Sequence, residues 1–195
     1  MHFYTFAWML SACMLLRLDA ARADVVLQLV PGPQTGQNLE IAITVSGLSQ
    51  NGAPALGAYD LELNYDPNLL TYASAAFGDP VLGDQLDPDN LGLNITGAGP
   101  DAAGQLNLHE LSLDPATDLS SLQAQDFTLA EVDFQIPRPG LASFSLTINA
   151  LSDANGLTLP ASTAGASVEF LPLPSANWAM AAGLGVIARL GRKSK

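Results

Sequence analysis

A period of two governs the middle of this chain. In the run AYDLELNYD, Tyr59, Leu61, Leu63 and Tyr65 share one phase, and Asp60, Glu62, Asn64 and Asp66 share the other. Successive side chains of an extended strand point to opposite faces, so such a run packs one face and wets the other. The same alternation recurs at Leu39, Ile41, Ile43 and Val45; at Leu91, Leu93 and Ile95; at Val132, Phe134 and Ile136; and at Phe144, Leu146 and Ile148, with Ser143, Ser145, Thr147 and Asn149 between them. Gly, Pro, Asp and Asn separate the runs at intervals suited to sandwich connections. Helical spacing is confined to a short candidate around Pro115 to Gln123, where Asp114 stands in position to cap. An all-β sandwich follows. In LNLHELSL the apolar phase flips between Leu108 and Leu111, which predicts a β-bulge near His109 or a strand buried on both faces. Asp-Pro pairs at 66–67, 79–80, 87–88 and 114–115 read as turn chemistry.

Charge and scarce residue types remove several functional classes. Residues 24–174 hold eighteen Asp and Glu against Arg138 alone, a formal charge of −17. Such a surface repels phosphate backbones, which excludes nucleic acid as a partner. Cys13 is the sole cysteine, and His2 and His109 are the only histidines. That rules out a disulfide within the domain, a Cys/His zinc site, and, without a G-x-S-x-G elbow, a hydrolytic triad.

The two ends differ from the middle. Residues 1–23 run apolar from Phe3 to Leu16 and close on Ala21-Arg22-Ala23, the small-x-small pattern of a signal peptide, with Asp24 as the first mature residue. A competing lipoprotein-like reading ends at Cys13. At the other end, residues 171–195 combine a Pro-rich hinge, an apolar run with Trp178, and the basic residues Arg189, Arg192, Lys193 and Lys195. From Leu171 to Leu190 the stretch reaches about the length that a ~30 Å hydrocarbon core requires, with the cations as a cytoplasmic stop. The alternative is an amphipathic terminal helix docked on the domain. The expected organisation is a signal peptide at 1–23, one β domain at 24–170 and a transmembrane C-terminal segment at 171–195.

Pro172, Leu173, Pro174, Trp178, the Gly183/Gly185 pair and Arg192-Lys193 resemble the C-terminal sorting signals of the PEP-CTERM class, in its V-P-L-P variant, with Leu171 in place of the usual Val. That resemblance implies an exosortase-type membrane protease as partner, transient residence in the inner membrane, and release to the cell surface or extracellular matrix. The domain itself, through GAYDLELNYDPNLLTYASAAFGD, then LNLHELSL and FTLAEVDFQI, then SFSLTINALSDANGLTL, is similar to cohesin-like domains. This second resemblance implies a jelly-roll β-sandwich of about nine strands and a non-enzymatic adhesion or docking fold.

Carboxylates supply the remaining candidate chemistry. Asp60 with Glu62, and Glu131 with Asp133, are same-face neighbours that would suit acid/base work on a polysaccharide, although the wet face of any sandwich generates such pairs. The loop GDPVLGDQLDPDN gathers Asp79, Asp84, Asp87, Asp89 and Asn90, hard oxygen ligands suited to Ca²⁺. Asp153-Ala154-Asn155-Gly156 reads as a turn, with Asn-Gly supplying the positive φ. Three functions remain open: a matrix or adhesive module with no catalytic residues, a cohesin that binds a dockerin-type partner, and a polysaccharide hydrolase. Extracellular polysaccharide is a further candidate ligand for the first.

Overall fold

The computed structural model describes residues 25–48 and 54–170, and within them the chain folds as ten strands and one short helix. The signal segment with Ala21, Ala23 and Asp24, and the tail from Leu171 with Pro172, Leu173, Pro174, Trp178, Arg189, Arg192 and Lys193, lie outside the described residues. Among the described residues, no helix is long and apolar enough to cross a membrane.

The strands are β1 (Val25–Pro31), β2 (Asn38–Ser46), β3 (Leu56–Asn64), β4 (Thr71–Phe77), β5 (Asn94–Ala102), β6 (Gln105–Ser112), β7 (Phe127–Gln135), β8 (Gly140–Asp153), β9 (Ala161–Ala164) and β10 (Ala166–Phe170), with α1 (Ala116–Leu122) between β6 and β7. They form two five-stranded sheets in the orders β4-β7-β2-β1-β9 and β10-β8-β3-β6-β5. All neighbours are antiparallel except β1 and β9. The fold is therefore an all-β sandwich of two five-stranded sheets.

The two-residue period does the sorting. Leu39, Ile41, Ile43 and Val45 of β2, Leu61 and Leu63 of β3, and Val132 and Phe134 of β7 are all essentially inaccessible and meet in one core. Across the two sheets, Phe134 of β7 tilts against Phe144 of β8 with ring centroids 5.6 Å apart, and Tyr65, just past β3, meets Phe134 at 4.9 Å. Such tilted pairs add roughly 0.5–1.5 kcal/mol beyond the area they bury. Irregular pairing is local. A bulge at Leu56/Ala58 brings Gly57 so close to the Asp153 carbonyl that no Cβ fits between them.

Three expectations need correction. The phase flip in LNLHELSL comes from neither a bulge nor burial of both faces: β6 pairs in regular register with β3, and with β5 around His109. Glu110 takes the inward place after Leu106 and Leu108, so Leu111 and Leu113 face out. Leu91 and Leu93 precede β5, and with Ile95 they are exposed instead of forming a buried strand face. Finally, α1 begins after Pro115 with no side-chain cap, so Asp114 does not cap it.

Candidate functional site

Two places concentrate polar side chains in defined geometry. The first is the outer face of the β10-β8-β3-β6-β5 sheet. The outward phase of β3 carries Asp60, Glu62 and Asn64, that of β6 carries Gln105, Asn107 and His109, and that of β8 carries Ser143, Ser145, Thr147 and Asn149. Strand pairing places these rows side by side, and amides tie them together. Asn107 Nδ2 donates to Asp60 Oδ1 at 2.6 Å, and Asn149 Nδ2 reaches the same oxygen at 3.2 Å from the other side. His109 Nδ1 lies 3.0 Å from Asn107 Oδ1; an amide oxygen only accepts, so Nδ1 carries the proton in this contact. One rung along, Gln105 Nε2 donates to Glu62 Oε1 at 3.1 Å, and Asn64 Nδ2 donates to Thr147 Oγ1 at 3.2 Å. The His109 ring lies over Gly97 of β5, where an added Cβ would stand 2.5 Å from ring atoms.

An apolar margin adjoins this platform. Ile95 pairs with Leu111, the next rung joins Leu113 N–H to the Leu93 carbonyl at 2.7 Å, and all four leucine and isoleucine side chains are exposed. A polar field beside an exposed apolar strip has the mixed composition of a protein-binding surface. The other outer face is different: Glu40 and Asp133 pair directly across β2 and β7, with Glu131 beside them. Burial, then the charges of Glu40, Asp79 and Asp133, push the Glu131 carboxyl above its ordinary value.

The second place lies behind the apolar margin, where the 78–93 loop folds against β6. Glu110, only 1 % exposed, accepts from the Tyr59 hydroxyl at 2.9 Å through Oε2 and from Asn94 Nδ2 at 2.9 Å through Oε1. Burial pushes its pKa up to about 8, and the neighbouring Asp84 carboxylate adds to the rise. Glu110 is thus mostly neutral at pH 7. Burial and the Glu110 charge likewise drive the Tyr59 phenol well above its usual range.

The loop carboxylates that the sequence offered as Ca²⁺ ligands occupy distinct stations. Asp79 accepts the N–H groups of Val81 and Leu82 through Oδ1 at 2.8 and 2.9 Å and that of Thr128 through Oδ2 at 2.9 Å. Burial raises its pKa, but the Thr128, Leu82 and Val81 donors outweigh burial and hold it below the usual carboxylate value. Asp84 accepts Leu86 N–H at 2.9 Å and Asn94 Nδ2. Asp87 accepts the N–H groups of Leu91 at 3.0 Å and Gly92 at 2.8 Å, and Asn90 makes the intervening left-handed turn with φ 56°. The structure brings Asp87 and Asp89 together with Asp114, from the segment after β6, and separates this trio from the backbone-capping role of Asp79. Sequence reasoning passed over Asp114 as a helix cap; no local pattern marks it.

Asp60 and Glu62 are engaged by the amides of the platform, and Asp133 accepts the Ser74 hydroxyl at 2.8 Å. Neither acid pair lines the clefts formed by Tyr65, Pro67, Tyr72 and Pro100 or by Ile148, Leu151 and Leu159. Sequence reasoning weighed Asp60 and Glu62 as an acid pair and missed the amide ladder around them. The visible signal was the recurrence of Asn at the outward phase: Asn64, Asn107 and Asn149.

Comparison with known proteins bears on the family and the fold. The cohesin domain model matches residues 23–164. Among solved structures, the sixth cohesin of scaffoldin B from Acetivibrio cellulolyticus, in complex with a dockerin, aligns over 76% of this chain and 99% of its own at 20% identity with a TM-score of 0.57. A type II cohesin domain from the cellulosome of the same organism aligns over 74% and 95% at 16% identity with a TM-score of 0.58. A non-cellulosomal cohesin from the archaeon Archaeoglobus fulgidus aligns over 80% and 96% at 16% identity with a TM-score of 0.55. At these identities the structural likeness concerns the fold. A search of curated proteins finds no match.

Proposed function

The chain belongs to the cohesin domain family, and from that premise we propose that it is an exported, non-catalytic docking module that holds a dockerin-type partner on the outer face of the β10-β8-β3-β6-β5 sheet. The observation that carries this reading is the cross-strand ladder Asn149–Asp60–Asn107–His109 beside the exposed Ile95/Leu111 strip. Side chains already held by one another lose little rotamer freedom when a partner settles on them, so the platform is preorganised for a protein surface. The apolar strip supplies burial, and the carboxylates favour a partner with basic or amide donors. Solved cohesins are captured with dockerins, among them the scaffoldin B cohesin above. This support moves docking ahead of a purely adhesive or matrix role and ahead of polysaccharide hydrolysis, since Asp60 and Glu62 are engaged by surface amides and neither acid pair lines either cleft.

Export rests on the sequence of the ends. A signal peptide at 1–23 and a PEP-CTERM-like tail at 171–195, cut by an exosortase-type protease near Pro172–Pro174, would deliver the domain to the cell surface. The intact mass of the secreted species, compared with a Pro172→Ala/Pro174→Ala variant, tests that step.

Docking is tested by calorimetric titration with dockerin modules encoded by the same host, in CaCl₂ because dockerins fold around Ca²⁺. Asp60→Ala and Leu111→Ala are each expected to weaken binding at least tenfold, with Glu131→Ala on the opposite sheet as the neutral control. Equal affinity for all three variants would place the partner elsewhere and refute the assignment.

A further inference from the structure

Three of the four Asp-Pro aspartates behave as turn residues. Asp66 accepts the N–H of Asn68 at 2.9 Å, Asp79 those of Val81 and Leu82, and Asp87 those of Leu91 and Gly92. Asp114 does not. Its side chain is 8 % exposed, and both carboxylate oxygens are buried with no hydrogen-bond partner. A buried carboxylate without a donor or a cation is costly relative to water, so its surroundings call for an explanation. Those surroundings are acidic. One carboxylate oxygen each from Asp87, Asp89 and Asp114 lie within 4.8 Å of one another. Arg138 is the only Lys or Arg among the described residues, so these have almost no cation of their own to offer.

We propose that Asp87, Asp89 and Asp114 form a Ca²⁺ site that ties the 78–93 loop to the segment between β6 and α1. The donor set is made of hard oxygens that lie within 4.8 Å of one another, close enough to share one ion at Ca–O distances of about 2.4 Å, and three carboxylates on a loop suit Ca²⁺ better than Mg²⁺, which keeps several waters and takes one or two carboxylates. Asp87 keeps a free lone pair on Oδ2, which receives only the Gly92 N–H, while Oδ1 receives those of Leu91 and Leu93. Its carboxylate is therefore already aimed: the turn through Asn90 fixes it from behind, and Asp114 faces it from across the loop. Asp89 is exposed and closes the site from the solvent side, leaving room for water in the remaining coordination positions. Burial, then the charges of Asp89, Asp87, Asp118 and Asp84, raise the Asp114 carboxyl above its ordinary value; the ion would reverse that rise by pairing with all of these charges at once. The site is independent of the docking reading, although the loop it fixes ends at Leu93, on the margin of the docking face.

The test is titration of the full chain, stripped with EDTA and returned to pH 7, with CaCl₂ by isothermal calorimetry, together with thermal melts with and without CaCl₂. One site is expected, in the sub-millimolar to millimolar range common for extracellular modules, with a rise in melting temperature on adding the ion. Asp89→Asn and Asp114→Asn should each weaken binding by at least tenfold. Asp89 is exposed, so its variant keeps the fold and decides the matter even if Asp114→Asn fails to fold. No heat and no melting shift in the native chain would overturn the proposal. So would a CaCl₂ affinity unchanged in Asp89→Asn, which would put the ion elsewhere, or equal displacement by MgCl₂.

Discussion

Glu110→Gln should make the protein more stable at high pH and erase part of its pH dependence. Glu110 is buried against Tyr59, Asn94 and Asp84, and its pKa rises from 4.5 to about 8 on folding. Below about pH 4.5 the group is protonated in both folded and unfolded chains and contributes no slope. Between 4.5 and 8 the unfolded chain releases the proton while the folded chain keeps it. Stability from this group therefore falls by up to about 1.4 kcal/mol per pH unit, and it levels off above pH 8. Over the whole window the loss is of order 4 kcal/mol, an upper figure because loop movement and water entry relieve part of the cost. Gln is neutral throughout and fits the same partners. Its oxygen can accept from Asn94, and its NH₂ can donate to the Tyr59 hydroxyl, whose proton turns to the Leu129 carbonyl 3.4 Å away. Urea unfolding of both proteins at pH 5, 7 and 9 measures the effect. The two should be close at pH 5, with the variant ahead by a few kcal/mol at pH 9. The titrations of Asp114 and Glu131, which Glu110 does not influence, cancel in the difference. Parallel stability curves would refute the reasoning, since they would mean that Glu110 titrates alike in folded and unfolded chains.

Two further substitutions probe the frame around the sites. Gln123→Ala removes a buried amide that donates to the Leu56 and Gln85 carbonyls at 2.9 Å each and accepts Leu56 N–H at 2.7 Å; leaving these groups unpaired should cost about 1–3 kcal/mol, read as a lower urea midpoint. Gly97→Ala drives a methyl into the His109 ring, so the ring must leave Asn107; histidine ring resonances should shift and partner affinity should drop, while the melting temperature changes by only a few degrees.

The alternation of Leu39 to Val45 and of Tyr59 to Tyr65 was enough to announce half-buried strands, because the strand period converts sequence directly into facing. Scarcity of Cys, His, Lys and Arg likewise set the expectations about disulfides, zinc and phosphate backbones. The turn role of Asp66, Asp79 and Asp153 was also legible, since an aspartate that bonds backbone two or three residues ahead acts within the reach of the local sequence. The same logic failed at Asp114, where the carboxylate of an identical Asp-Pro pair bonds no backbone ahead of it, and at Glu110, whose inward place in β6 broke the apolar phase and suggested a bulge. Both residues are defined by what lies across the fold. Glu110 is inward because Tyr59 and Asn94 stand ready to bond it, and Asp114 meets Asp87 and Asp89 only because the loop after β4 returns over the end of β6. The sequence by itself therefore determined the strands, the wet and dry faces and the sign of the surface. Which outward residues join into a ladder, and which carboxylates meet, was decided by strand order and register, since these bring together residues such as Asp60 and Asn149 that stand 89 positions apart.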